Sequence, residues 1–204
     1  MPNITKPFVV AVSGTSGAGK TSLVSSLAAR LENAPSLLFD EYPKVGPGIG
    51  PWLSSGADPN DWYTPALCEH LQALRTGRPI TQLHDRGILE PTEFLVIEEP
   101  FGRARADIAG LIDYVIYIDI PLGVALARRT IRDMRTIWRD CDRDQLEVEV
   151  ATYMGWYIAE GQRVYSRLQE LARDSCDLVV NGSKKITDLA EECEKRVRAA
   201  AGTP

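Results

Sequence analysis

The chain has 204 residues, 44% of them hydrophobic and 25% charged, with a formal net charge of −5. This is an ordinary composition for a soluble globular domain, and the acidic balance argues against nucleic-acid binding or attraction to an anionic membrane surface. No apolar run approaches the roughly 20 residues a membrane span needs. The opening MPNITKPFVV has no basic segment followed by a long apolar one, so a cytoplasmic protein without a signal peptide is expected.

In chain order, FVVAV (8–12) reads as a buried strand and TSLVSSLAARLE (21–32) as a helix with Leu23, Leu27 and Leu31 on one face. SLLF (36–39) is a second short strand. The Gly/Pro-rich stretch 40–61 is too irregular for a helix and too long for an ordinary loop, which marks it as functional or disordered. TPALCEHLQALRTG (64–77) reads as a helix capped by Thr64, with Pro65 in its first turn and Gly77 at its end. FLVIEE (94–99) and DYVIYIDI (113–120) are further buried strands, separated by a helical patch near 102–111. A helix follows Pro121, a long helical region with a broken pattern covers about 144–173, DLVVN (177–181) is a last strand, and 186–200 is a closing amphipathic helix. Short apolar strands alternating with helices predict an α/β fold, a parallel sheet of about five strands covered by helices on both faces. Such sheets bind ligands beyond the carboxyl ends of their strands.

Cys68, Cys141, Cys176 and Cys193 are widely spaced, with no C-x-x-C pair, so reduced thiols are expected rather than disulfides or zinc. His70 and His84 alone do not make a histidine-rich metal site.

Gly14, Thr15, Ser16, Gly17, Ala18, Gly19, Lys20 and Thr21 form G-x-x-x-x-G-K-[ST] between a strand and a helix, with Ser22 next. Glycines let the chain curl until its N–H groups face inward as an anion nest, and the helix N-terminus adds positive potential. Lys20 is placed to reach the β- and γ-phosphates of a nucleotide and Thr21 to ligate Mg²⁺. A second acid for the metal comes from Glu98 or Glu99 at the end of 94–99; alternation allows only one of them to face the site.

A GTPase would need a guanine-reading N-K-x-D segment, which the chain lacks. Asp40 ends the second strand, where a carboxylate can accept a proton from an attacking hydroxyl; Glu41 is its neighbouring competitor. Arg128, Arg132 and Arg135 share one helical face, with Arg129 beside Arg132. Guanidinium groups there can close over a transferring phosphoryl group as a lid, or else form a solvated basic face paired with acids such as Asp133. Together these features suit a small-molecule kinase.

GTSGAGKTS, LLFDEY, the helix ending in L-R-T-G-R-P-I, EPTEFLVIEE and the R-R-x-x-R-D of ALARRTIRD resemble the uridine kinase-like and phosphoribulokinase-like branch of P-loop kinases over nearly the whole chain. The resemblance implies one P-loop kinase domain with a substrate-binding insert at about 40–92 and a helical lid at about 122–150. It implies ATP and Mg²⁺, a small-molecule acceptor and Asp40 as catalytic base. It carries the metal role onto Glu98, a sugar-binding role onto Asp61 or Asp58, and catalytic or nucleotide contacts onto Lys20, Arg128, Arg129 and Arg132. Tyr42, as the aromatic after the base, and Trp62 join the substrate contacts. The usual hairpin between substrate helix and acidic strand is reduced here to ITQLHDRGIL, with His84 and Arg86 as substitute contacts, and the usual E-G is E-E. Trp52, Trp62 and Tyr63 can stack on a base or pack in the core. The leading acceptor is a nucleoside. The alternatives are a sugar phosphate, a vitamin precursor or a deoxynucleoside, or a nucleotide-binding regulator that transfers nothing; for a phosphorylated acceptor Lys44, Arg86 and Arg103 are the candidate cations. A homo-oligomer is left open.

Overall fold

The computed structural model describes residues 6–83 and 87–203. Five parallel strands form the central sheet: β1 (Phe8–Ser13), β2 (Ser36–Leu38), β5 (Phe94–Glu98), β6 (Tyr114–Asp119) and β7 (Leu178–Asn181), in the spatial order β2-β5-β1-β6-β7. A small antiparallel pair, β3 (Ile80–Thr81) and β4 (Ile88–Leu89), stands apart. The α/β parallel sheet expected from the sequence is therefore present.

The strands are apolar because both of their faces are covered. In β1, Val10 and Val12 face α1 (Lys20–Arg30) and α8 (Ile186–Ala201), while Val9 and Ala11 pack into the opposite core with α3 (Pro65–Arg75). In β5, Phe94 and Val96 go with the first core, Leu95 and Ile97 with the second. Val12 lies opposite Glu98 in β5 and Ile116 in β6. The carboxyl ends of the central strands are thus level, and the residues after them share one rim. The chain crosses β1 in going from β5 to β6, the kind of position where open α/β sheets leave a ligand crevice.

Three local features differ from expectation, and the expected broken helical region shows the cause of its break. Residues 40–61 hold a short helix, α2 (Ile49–Ser54), and a 3₁₀ turn at Pro59–Asp61. Trp52 anchors this segment: its ring is buried and its Nε1 donates to the Asp58 carbonyl at 2.6 Å. Thr64 sits at the start of α3 but its side chain caps nothing. The patch near 102–111 narrows to a single turn, α4 (Ala106–Ala109). The broken region 144–173 is α6 (Arg143–Trp156) and α7 (Gln162–Asp174) joined by a π-helical segment, Tyr157–Gly161. An extra residue per turn rotates the faces of the two helices against each other, which erases a continuous 3.6-residue pattern. Gly161 permits it, since a Cβ there would lie 2.6 Å from the Trp156 ring.

Candidate active site

The phosphate loop joins β1 to α1. Gly14, Gly17 and Gly19 all have positive φ, at 146°, 86° and 100°, so the curl is built from conformations side-chained residues avoid. Gly17 is also tightly overlaid by α5 (Leu122–Arg135): a Cβ there would lie 2.1 Å from the Ala125 carbonyl oxygen. A Gly17→Ala chain has to move the backbone of the arginine-bearing helix. It is expected to bind ATP at least about tenfold more weakly in an equilibrium titration; affinity within about twofold of wild type would contradict this packing account.

Lys20 Nζ lies 3.4 Å from Glu98 Oε1 and donates to the Thr15 carbonyl at 3.4 Å. Thr21 Oγ1 donates to Glu98 Oε2 at 2.9 Å. Strand parity sends the two acids to opposite faces of the sheet. Glu98 continues the Phe94–Val96 face toward α1, and Glu99 continues the Leu95–Ile97 face away from it. Glu99 is fully buried against Arg105, which is equally buried, with Nη2 2.7 Å from its Oε2. Burial pushes the Glu99 carboxyl up against the pull of Arg105. Arg105 Nη1 also donates to the Trp62 carbonyl at 3.0 Å. This pair ties the segment carrying Trp62 to the end of β5, and reading the sequence missed it.

Asp40 stands in a 3₁₀ turn, Phe39–Glu41, immediately beyond β2. Buried Phe39 pins the turn, while the Asp40 side chain is 82% exposed with Lys44 Nζ at 3.7 Å. On α5, Arg129 is held at three points: Nη1 donates to Ser16 Oγ at 3.2 Å and to the Tyr165 hydroxyl, and Nε lies 3.3 Å from Asp133 Oδ2. Arg132 Nη2 is 2.9 Å from the other Asp133 oxygen. Arg128 Nη1 donates to the Gly182 carbonyl at 3.0 Å. The basic face expected on this helix is thus anchored by one buried acid and by the phosphate loop itself.

Two adjoining cavities meet here. One, of about 350 Å³, is walled by the phosphate loop from Ser16 to Ser22 and by Arg128. The other, of about 260 Å³, runs between aromatic and aliphatic walls. Lys20, Asp40, Glu98, Arg129 and Arg132 line both. Val164, Tyr165 and Leu168 of α7 close the second cavity. They lie more than 120 residues from Asp40 in sequence and beyond the π-helical break, so no local pattern pointed to them.

Several candidate contacts lie elsewhere. Tyr42 is buried in the core with its hydroxyl 2.9 Å from His70 Nδ1, and burial and Glu41 push its pKa up to about 12. Trp52 is core, and Tyr63 is exposed in a bridge to Val45. Asp58 turns back to accept from the Asn60 N–H at 2.9 Å. Asp61 accepts from Ser55 Oγ at 3.4 Å, and neither acid lines the cavities. Of the three large aromatics weighed for stacking, Trp62 and Trp52 both reach the cavity wall, Trp52 from within the core. His84 and Arg86 lie outside the described residues.

The donor set fits a nucleotide with a divalent cation. Lys20, Thr21, Ser22, Glu98, Arg128, Arg129 and Arg132 line the loop's cavity, the cations, hydroxyls and carboxylate that a polyphosphate and its divalent ion take. Among the described residues no cluster of three or more His, Cys, Asp or Glu could hold a metal. A hydroxyl plus one carboxylate is what Mg²⁺ takes when phosphates and water complete its shell. Also among the described residues, no helix is long and apolar enough to cross a membrane.

Residues 69–155 match the Phosphoribulokinase / Uridine kinase family. Uridine kinase from Clostridium tetani is 28% identical over 152 residues, covering 67% of this chain and 73% of that protein. Uridine kinase from Latilactobacillus sakei is 29% identical over 150 residues, covering 67% and 71%. A candidate fructose transport system kinase from Silicibacter sp. TM1040 superposes with a TM-score of 0.50 at 17% identity, covering 88% of this chain and 92% of that one, a likeness of fold.

Proposed function

We propose that this chain, a P-loop small-molecule kinase similar to members of the Phosphoribulokinase / Uridine kinase family, moves the γ-phosphoryl group of ATP to a hydroxyl of a small neutral metabolite, with a nucleoside as the leading acceptor. The observation that carries this reading is the position of Asp40, in the wall of both the phosphate-loop cavity and the aromatic one. A carboxylate at that junction can orient an acceptor hydroxyl and take its proton as the bond to phosphorus forms.

The other roles follow from the same geometry. The loop N–H groups and Lys20 hold the phosphates. Thr21 and Glu98, already hydrogen-bonded to each other, would hold Mg²⁺, which when bound neutralises charge on the phosphate oxygens. Arg129 and Arg132 stand over the junction, oriented by Asp133, where they stabilise charge on the group in transit. The helices α5 and α6 serve as the lid. Positioning and electrostatics supply most of the rate in such a reaction.

ADP release from Mg·ATP, measured across uridine, cytidine, other nucleosides, pantothenate and sugar phosphates, tests the proposal. A nucleoside is expected to raise turnover well above the background hydrolysis rate. If tight ATP binding persists while no acceptor lifts the rate, transfer is not what the site does.

A further inference from the structure

Resting on that reading and deepening it, we infer that Tyr165 is a positioning residue for the transfer: its hydroxyl fixes the Arg129 guanidinium where the γ-phosphoryl group is held.

The head of Arg129 is met from three sides. Its Nε lies 3.3 Å from Asp133 Oδ2, and its Nη1 donates to Ser16 Oγ at 3.2 Å and to the Tyr165 hydroxyl. Among the described residues no hydrogen bond uses Nη2, which leaves its N–H groups for a phosphoryl oxygen. The three partners play different parts. Asp133 rides on the same helix, so it orients the side chain relative to α5 and not relative to the rest of the molecule; it also holds Arg132. Ser16 lines the phosphate-loop cavity, where phosphate oxygens are rival acceptors for the same N–H. Tyr165 comes from α7, and α7 is seated in the core beneath the sheet: Val164 is buried there with Val9, Ala11, Leu95 and Ile97. The Tyr165 hydroxyl is therefore the contact that ties the arginine to the body of the fold.

The tyrosine is itself held still. Its ring is buried, edge-on to Trp156 with centroids 6.0 Å apart and tilted against Tyr157 at the same separation. The Arg129 head lies over the Tyr153 ring at 5.1 Å and over the Tyr165 ring at 6.0 Å, contacts that favour a cation. An arginine left free gives up rotamer freedom when it meets a phosphoryl group; one bonded beforehand has already done so. Arg129 lines both cavities and Tyr165 lines the aromatic one, so their hydrogen bond stands at the junction that Asp40 also walls.

The test reads the γ-phosphoryl contact without needing an acceptor. The full chain with Mg²⁺ is titrated with ADP and with a non-hydrolysable ATP analogue. Tyr165→Phe keeps the ring and removes the hydroxyl. It is expected to weaken binding of the analogue about five- to tenfold and to leave ADP affinity within about twofold of wild type. Arg129→Met is expected to weaken the analogue at least as much, and adding Tyr165→Phe to it should change that affinity by less than about twofold. A tyrosine that served only packing would not lose its effect with the arginine. An unchanged Tyr165→Phe, an equal loss for both nucleotides, as a softened fold would give, or losses that multiply in the double variant would each overturn the inference. In turnover with an accepted alcohol, Tyr165→Phe should lower kcat about tenfold and leave the acceptor KM within about twofold. The kinase reading fails differently: no acceptor raises ADP release from the wild-type chain, while the binding cycle still reports whether Tyr165 acts through Arg129.

Discussion

Replacing Asp40 by asparagine is expected to lower kcat for acceptor phosphorylation by about 10²–10⁴ while leaving ATP affinity intact. Asparagine keeps the size of the side chain and one oxygen that can accept a hydrogen bond, but it cannot take a proton. The variant therefore separates proton acceptance from packing. The fold has little stake in this residue, because its side chain is 82% exposed and its one ion pair, to Lys44, spans 3.7 Å; exposed pairs of that kind contribute on the order of 1 kcal/mol or less. The thermal midpoint should accordingly stay where it is. The phosphate loop, Lys20 and Thr21 do not depend on Asp40 for any contact, so equilibrium binding of an ATP analogue should be unaffected. Glu41→Gln is the matched comparison. It removes the neighbouring carboxylate, which does not line either cavity, and should change kcat by no more than about threefold. Single-turnover transfer distinguishes the outcomes. An Asp40→Asn chain that transfers phosphate within about threefold of wild type would remove the proposed base and leave the arginines and Mg²⁺ to carry the reaction.

What the sequence made legible was whatever repeats with a short period or sits on a fixed spacing. The two-faced strands announce themselves by apolar residues at every position of 9–12 and 94–97, because helices cover both sides of the sheet. The phosphate loop is legible because its glycines are needed for backbone reasons, independent of the rest of the fold. The directions of Glu98 and Glu99 needed one further fact, which face of β5 meets α1; alternation then decides both side chains at once. The aromatic residues were not legible. Tyr42, Trp52 and Trp62 lie within 21 positions of one another, and nothing local distinguishes a ring that fills the core from one that walls a cavity. Only the tertiary packing of α3 and α7 around them does so. Tyr165 was hidden for a related reason. The π-helical segment 157–161 shifts the register of the helix, so a face that would have pointed to the site breaks off before reaching it. Arg105 and Glu99 are only six positions apart, but no spacing in the sequence marks them as a pair. Their burial depends on Trp62, Phe39 and Phe101 closing around them.

Breaking that pair is the change with the largest expected effect on stability. Both side chains are fully buried. The carboxylate accepts from Arg105 Nη2 at 2.7 Å and from the Phe101 N–H at 3.2 Å, and the guanidinium serves the Trp62 carbonyl as well. Truncating Arg105 to methionine leaves a carboxyl group without its counter-charge in a site that water does not reach. Replacing Glu99 by leucine leaves the guanidinium in the same position. Each single variant is expected to lose about 3–5 kcal/mol, on the order of 10 °C in the thermal midpoint for a chain of this size. Combining the two, Glu99→Leu with Arg105→Met, removes both charges and replaces them with apolar volume, so the double variant should recover most of the loss. The distinction is thermodynamic: a positive coupling between the two sites in urea unfolding identifies an electrostatic pair, whereas losses that simply add would mean that each side chain matters only for the space it fills. Function supplies a second reading of the same cycle. The double variant restores stability but not the hydrogen bond from Arg105 to the Trp62 carbonyl, so the KM for the acceptor should remain raised while the KM for ATP, set on the Glu98 side of the strand, stays at its wild-type value. If both KM values return with stability, the pair supports the fold alone and has no part in placing Trp62.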